Sequence, residues 1–410
     1  MNLPPAKAVP ARVLSGMRPT GQLHLGNYQG ALRNWVELQY RYECFCFVAD
    51  WHALTTDYDN ISLLQQNVQQ MVVGWLAAGL DPERSTIFLQ SQVLPHAELH
   101  LLLSMITPLG WLERVPTYKD QQAQLKEKDL ATYGFLGYPL LQSADILIYR
   151  AAFVPVGEDQ VVHVEMTREV ARRFNNMYGR DEQFASKVKA AVGWLEPASR
   201  EVYKELRRRF QEGGDHSALQ QARELVLAAT RLSAEHSELL LANLEGDHHR
   251  LLPAPEALLT PAAKVPGLDG RKMSKSYGNT IGLLEDPESI ARKIKGMTTD
   301  PARVRRTDPG TPEKCPVWDL HKFYSSDETR AWVREGCTTA GIGCLECKQP
   351  VIDKICADAV VMRARAQPYV DNPGRVREIL AAGAVRANAA AGETMQVVRR
   401  AMNLIPHDGT

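Results

Sequence analysis

Two lysines three residues apart stand in the run Lys272-Met273-Ser274-Lys275-Ser276, which follows Gly267-Leu268-Asp269-Gly270-Arg271. Glycines and serines border the pair, so the run reads as a loop. Two cations and two hydroxyls on a loop suit the phosphates of a nucleotide, where charge is spread over several oxygens. Far upstream lies a second run, Pro19-Thr20-Gly21-Gln22-Leu23-His24-Leu25-Gly26-Asn27. Gly26 and its small polar neighbour allow backbone to approach a ligand, and His24 brings a ring nitrogen that a phosphate would meet. Singly, each run is a weak signal, because Lys-Ser loops are mostly solvated surface and H-x-G-N arises by chance.

The elements around these runs predict how they are held. Arg12 to Ser15 is short and apolar, Phe45 to Ala49 is an apolar run ending at Asp50, and Ser85 to Gln90 is strand-like. Between them, 26–40 and 60–78 carry apolar residues at helical spacing. Strand, loop, helix, strand, helix, strand predicts an α/β fold with a parallel sheet and crossover helices. Ligands of such folds bind at the carboxyl ends of the strands. The His24 run follows the first strand and opens the first helix, where a helix N-terminus would offer free N–H groups to an anion. Further on, Tyr138 to Tyr149 predicts a helix with one acid, Asp145, among apolar residues. Residues 151–160 predict strand and loop, and 161–175 a helix.

From 181 to 250 the chain turns charged, Ala- and Leu-rich and nearly free of proline, which predicts two or three amphipathic helices. From Pro287 onward the pattern is helical again, with an Ala-rich stretch over 381–391. At 410 residues the chain suits two or three domains. Lys+Arg and Asp+Glu are 48 each, so no basic coat is present, although local patches matter more to an RNA partner than the sum. No stretch approaches the roughly 18 apolar residues of a membrane span, and the Pro- and Ala-rich start lacks the apolar core of a signal peptide. The expectation is a soluble, cytoplasmic protein.

Together and in this order, the two runs resemble the paired signatures of class I aminoacyl-tRNA synthetases, with His-Leu-Gly-Asn in place of the family's H-I-G-H. Further blocks narrow the resemblance to the bacterial tryptophanyl-tRNA synthetases: Leu14 to Gly21, Asp50-Trp51-His52-Ala53-Leu54-Thr55, the Tyr138 to Asp145 helix, and Pro155-Val156-Gly157-Glu158-Asp159-Gln160. The resemblance implies a Rossmann-type catalytic domain over 1–180, a helical insertion over 181–252, the catalytic domain continued over 253–286, and an all-helical anticodon-binding domain over 287–410. It implies a homodimer that uses ATP with Mg²⁺, L-tryptophan and tRNA(Trp). The catalytic residues would be His24, Asn27, Lys272 and Lys275. ATP would meet Arg18, Thr20, Gly26, Asn27, Gly157, Asp159, Lys272, Met273, Ser274 and Lys275. Tryptophan would meet Gly16, His52, Tyr138, Gln142, Asp145, Val154, Val156 and Gln160.

The chemistry agrees with those residue types. An amino-acid carboxylate is already ionised when it attacks the α-phosphate, so positioning and charge stabilisation suffice and no covalent triad is needed. An indole offers one donor, its N–H. A buried carboxylate such as Asp145 accepts it in a charge-assisted bond worth about 1.5–3 kcal/mol, and rejects ligands that leave it unpaired. The bland alternative for Asp145 is an acid on an exposed helix face, and for Val154 and Val156 ordinary core valines.

Four of the seven cysteines fall together, as Cys315-x21-Cys337-x6-Cys344-x2-Cys347. Four thiolates suit tetrahedral Zn²⁺ or an iron–sulfur cubane. The spacing and the segment Gly343 to Lys348 resemble a subgroup of these synthetases with a [4Fe–4S] cluster near the anticodon-binding surface, so that cluster is expected, with Zn²⁺ as the alternative. Cys44, Cys46 and Cys356 read as core residues.

Three departures stand out. Gln142 replaces a frequent methionine, Gln121 replaces a lysine that often follows the Lys119-Asp120 position (Lys119 or Lys126 would compensate), and the 181–250 segment exceeds the compact members of the family. Arg207-Arg208-Arg209 in that segment suit either tRNA phosphates or a solvated helix face. Rival readings are a tyrosyl-tRNA synthetase, a tRNA-independent nucleotidyltransferase, and an RNA-binding protein that has lost catalysis. Leu14, where tyrosine enzymes usually carry tyrosine, and the Pro155 to Gln160 block favour tryptophan.

Overall fold

The computed structural model describes residues 11–115, 131–179, 183–213, 215–244, 251–259 and 264–405. Lys119, Gln121 and Lys126 lie outside them. A five-stranded sheet has the order β3-β2-β1-β4-β5, with β1 Arg12–Met17, β2 Glu43–Val48, β3 Ser85–Leu89, β4 Phe153–Val156 and β5 Glu256–Leu259. The pairings of β1 with β2, β2 with β3 and β1 with β4 are all parallel, as the alternation of strands and helices predicts. β5 is a strand that sequence reading missed, because four residues between prolines carry no periodicity. The chain divides into two compact units, one of residues 1–93, 153–161 and 257–387, the other of residues 94–152, 162–256 and 388–410.

In the first unit, β2 and β3 are buried on both faces (β3 over its whole length), which is why they read as continuous apolar runs. The core continues into helices Leu64–Ala78, Pro287–Gly296 and Cys344–Asp371. Trp35 and Trp75 meet edge to face at 5.3 Å in it. The helix predicted over 26–40 is broken into α turns at Leu25–Asn27 and Arg33–Leu38 around a π segment, Tyr28–Leu32. Such widened turns add a residue to the register and recur at functional sites; apolar spacing alone does not reveal them.

The second unit contains helices Pro95–Ser104, Tyr138–Ile148 and Val161–Tyr178. The described residues of the 181–250 region form four helices, Phe184–Trp194, Pro197–Gly213, His216–Ala228 and Ala234–Leu244, not two or three. Pro197 opens the second, and Asp215 caps the third by accepting from the N–H groups of Ser217 and Ala218. They share a core of their own around Phe184, Tyr203, Leu206 and Leu240. Arg208 pairs with Glu205 at 2.8 Å and Arg209 with Asp215 at 2.5 Å, which favours the solvated-face reading of that basic run.

The Ala-rich stretch has a packing role. Helix Gly374–Ala401 passes so close to β3 that a Cβ at Gly383 would stand 1.8 Å from the Ile87 carbonyl oxygen. Arg386 on the same helix donates to the Pro82 and Ser85 carbonyls at 2.8 and 3.2 Å. In an open helix, glycine to alanine stabilises by about 1 kcal/mol. Here the sign reverses: Gly383→Ala is expected to destabilise by about 1–3 kcal/mol through overpacking against backbone, measured as a lowered urea midpoint.

Candidate active site

The two signature runs meet through backbone. The Leu25 N–H donates to the Ile281 carbonyl at 3.0 Å and the Leu283 N–H to the Leu23 carbonyl at 2.8 Å, with His24 opposite Gly282 in an antiparallel bridge. The segment that follows the lysine loop is thereby stitched to the His24 run. Lys275 Nζ then reaches the Thr20 carbonyl oxygen at 2.8 Å. Met273, buried, brings its Cβ to 3.6 Å from the position a Cβ at Gly26 would take.

Gly26 has a local reason to be glycine. An added Cβ would lie 2.9 Å from both Nδ1 and Cε1 of the His24 ring. The H-x-G spacing therefore folds the imidazole back over its own helix start. The helix start itself does not match expectation, since the His24 N–H donates to Asn27 Oδ1 at 3.0 Å and the Leu25 N–H is spent on Ile281. These two donors are consumed by the stitch rather than left for an anion, and Asn27 acts here as a cap.

Burial, and secondarily the Lys275 charge, hold the His24 pKa down at about 4. The ring is neutral at pH 7, and its Nδ1 is buried without a hydrogen-bond partner among the described residues. Partial desolvation lowers the Lys275 ammonium pKa below the ordinary lysine value. Lys272 is exposed. Its loop is clamped by a residue that sequence reading overlooked. Asn279, nearly fully buried, donates through Nδ2 to Asp269 Oδ1 at 2.7 Å and to the Lys272 carbonyl at 3.2 Å, and accepts from the Ser274 N–H at 2.8 Å. The signal was present in Gly278-Asn279, a turn pair just past the lysines. Ser274 and Ser276 hydroxyls lie 2.9 Å apart.

Other residues of the first unit are placed as follows. Arg18 donates to the Thr56 hydroxyl and lies 3.6 Å from Asp57. Gly16 packs on the Phe47 ring, opposite it in the β1–β2 register. His52 and Val154 are buried, while Val156, Gly157 and Gln160 are partly exposed at the end of β4. Asp159 lies in the short turn Glu158–Gln160.

In the second unit, Asp145 is fully buried, not on an exposed face. Its Oδ1 lies 2.6 Å from His96 Nδ1, and His96 Nε2 lies 2.6 Å from the Tyr149 hydroxyl. Sequence reading missed His96, because its partners come from a helix far along the chain. The Tyr138 hydroxyl is 3.3 Å from His163 Nε2 and its ring stacks on Phe135; Gln142 is half-buried.

The four clustered cysteines line one small cavity with Asp300, Arg303 and Lys348. Burial pushes the Cys347 thiol up to about 12, and the thiols of Cys315, Cys337 and Cys344 push it the same way. Arg303 Nη1 lies 3.8 Å from Cys337 Sγ, and His321 Nε2 lies 3.5 Å from Cys347 Sγ. Among the described residues, no three or more His, Cys, Asp or Glu side chains stand in a closed ligand arrangement.

The His24 shift has a pH consequence. A histidine whose pKa falls from 6.5 to about 4 on folding binds fewer protons folded than unfolded between those values, so stability is full above pH 6.5 and declines as pH drops toward 4. Replacing it by asparagine is expected to remove on the order of 1–2 kcal/mol of the stability lost between pH 7 and pH 5, read from urea midpoints at both pH values.

Among known proteins, the family model for class I tRNA synthetases of the W and Y type matches residues 6–197 and 221–356. The chain is 60% identical to the tryptophan–tRNA ligase of Ralstonia nicotianae over 395 residues, covering 96% of this chain and 99% of the relative. It is 45% identical to the tryptophan–tRNA ligase of Thermotoga maritima, with the same coverage. Among solved structures, tryptophanyl-tRNA synthetase from Campylobacter jejuni complexed with ADP and tryptophan matches with a TM-score of 0.71 at 28% identity, over 96% of this chain and 99% of that one. No described helix is long and apolar enough to cross a membrane. This chain belongs to the class I tRNA synthetases of the tryptophan and tyrosine group.

Proposed function

We propose that this protein is a tryptophan–tRNA ligase, activating L-tryptophan with ATP and Mg²⁺ and transferring it to tRNA(Trp) in the cytoplasm. The observation that carries the reading is the stitched pair of runs, which sets the neutral His24 ring and the Lys275 ammonium on one backbone frame. The tryptophan carboxylate oxygen bonds to the α-phosphorus while the bond to the pyrophosphate oxygen breaks. Lys272 and Lys275 balance the charge that builds on the leaving pyrophosphate, and His24 and the serine hydroxyls supply neutral donors to phosphate oxygens. A tRNA hydroxyl then takes the acyl group and AMP leaves.

Further roles follow from the resemblance. In the first unit, Arg18, Thr20, Gly26, Asn27, Gly157, Asp159, Met273 and Ser274 are assigned to ATP, and Gly16, His52, Val154, Val156 and Gln160 to the amino acid. In the second, Tyr138, Gln142 and Asp145 are assigned to tryptophan, with Asp145 accepting the indole N–H. Residues 287–410 are assigned to the anticodon, residues 181–252 to a helical insertion, and the active form to a homodimer.

Cys315, Cys337, Cys344 and Cys347 are proposed to hold a [4Fe–4S] cluster. The surroundings fit a tetrathiolate group of net charge −2. Arg303 and Lys348 are buried cations lining the cavity, and the single carboxylate there, Asp300, is committed to the N–H groups of Ala302 and Thr311. A buried positive surplus calls for an anion. Such a cluster would cross-link the segments that carry these cysteines. Purification without air is expected to give brown protein with four irons per chain, and Cys344→Ser to lose them. Colourless protein with one zinc per chain would move the site to Zn²⁺.

The function is tested by ATP–pyrophosphate exchange with tryptophan and tyrosine in parallel. Exchange is expected with tryptophan only. Asp145→Ala is expected to reduce kcat/KM by at least tenfold, the equivalent of about 1.4 kcal/mol. Exchange with tyrosine alone would assign the chain to the sister specificity.

A further inference from the structure

We propose that His96 is a positioning residue for amino-acid selection, clamping the Asp145 carboxylate through Nδ1 while the Tyr149 hydroxyl holds its Nε2. The inference rests on the reading of Asp145 as the acceptor of the indole N–H.

The geometry is complete within one unit. Asp145 and Tyr149 stand four residues apart, the acid on helix Tyr138–Ile148 and the tyrosine just past its end, so both project from one face. His96 enters from the first turn of helix Pro95–Ser104 and its ring bridges them, with both contacts at 2.6 Å. All three side chains are fully buried. The His96 and Tyr149 rings also meet edge to face at 5.2 Å.

One hydrogen inventory satisfies all three groups without a buried net positive charge. An ionised carboxylate only accepts, so Nδ1 of His96 carries a hydrogen. With a single ring hydrogen at Nδ1, Nε2 is the acceptor for the Tyr149 hydroxyl. Burial, and then the Asp145 charge, raise the Tyr149 pKa well above the usual tyrosine value, which keeps that hydroxyl a donor. The chain runs from tyrosine to histidine to carboxylate, each link polarising the next.

This arrangement solves a problem peculiar to selection by a buried acid. Without substrate, a buried carboxylate must still be stabilised, or it takes up a proton and ceases to be an acceptor. A neutral donor in a fixed place keeps it ionised and sets the direction of its remaining lone pairs. A mobile cation would compete with the indole N–H for the same oxygens.

The test is pyrophosphate exchange with KM for tryptophan, KM for ATP and kcat measured on wild type, His96→Leu, His96→Asn, Tyr149→Phe and Asp145→Asn. His96→Leu is expected to raise KM for tryptophan ten- to a hundredfold, with KM for ATP changed less than threefold. His96→Asn, whose amide nitrogen replaces Nδ1, is expected to recover most of that loss. Tyr149→Phe is expected to raise the tryptophan KM three- to tenfold. A merely structural role would lower the melting temperature of all the variants without separating the two KM values. If Asp145→Asn leaves KM for tryptophan unchanged, the indole reading itself fails. If Asp145→Asn raises it and His96→Leu does not, the role of His96 is overturned. Should His96→Leu not fold, Tyr149→Phe decides by the same comparison. As a substrate-free check, histidine-selective ¹⁵N NMR is expected to show a strongly downfield ring N–H that vanishes in Asp145→Asn, and its absence in wild type would overturn the clamp.

Discussion

Two backbone hydrogen bonds, Leu25 to Ile281 and Leu283 to Leu23, join segments far apart in sequence. The arrangement of the His24 run and the lysine loop depends on that join. Side-chain contacts between exposed loops are weak and easily exchanged, whereas a short antiparallel bridge fixes register. Once His24 lies opposite Gly282, the position of the lysine loop is set to within the slack of the few residues between them. Asn279 removes that slack by holding the Asp269 side chain, the Lys272 carbonyl and the Ser274 N–H at once. The motif residues are thus carried by a frame built from residues that take no part in the chemistry.

The fold also manages three buried polar problems by three different means. His24 is kept neutral, so its desolvation costs little at pH 7. Asp145 is given a histidine donor backed by a tyrosine. The four thiols are given cationic neighbours. Each solution suits the role proposed for the group: a neutral donor beside a phosphate leaves the cationic role to lysine, an indole acceptor has to stay ionised, and a metal-binding sulfur set has to tolerate a net negative charge.

How far the sequence alone reaches can be read from particular residues. β2 and β3 were legible because parallel strands covered on both faces become unbroken apolar runs, and the lysine and histidine runs because the two occur together and in order. His96, Asn279 and the π segment were not. A histidine at the second position of an apolar helix looks like any core histidine until its partner, 49 residues on, is placed. An asparagine after a glycine looks like turn chemistry, which it also is. A π turn leaves the apolar spacing almost intact. The alanines over 381–391 read as low complexity, although at Gly383 smallness is imposed by the Ile87 carbonyl. For His96 and Gly383 the missing information was a contact distant in sequence, which neither propensity nor period contains.

The same view explains why Lys275 rests where it does. Its ammonium bonds to the Thr20 carbonyl, a neutral acceptor, and it is partly desolvated there. A phosphate oxygen is a charged acceptor, and a bond to it is about twice as strong. In the role proposed for Lys275, moving the ammonium from the carbonyl to a phosphate exchanges a neutral acceptor for a charged one and so favours the bound state. The carbonyl site holds the lysine near its working position with its rotamers already restricted, so less side-chain entropy is lost when the nucleotide arrives. A lysine left in solvent would lose that entropy at the moment of binding, and one paired to a carboxylate would have to break an ion pair first. A backbone carbonyl is strong enough to orient the ammonium and weak enough to release it.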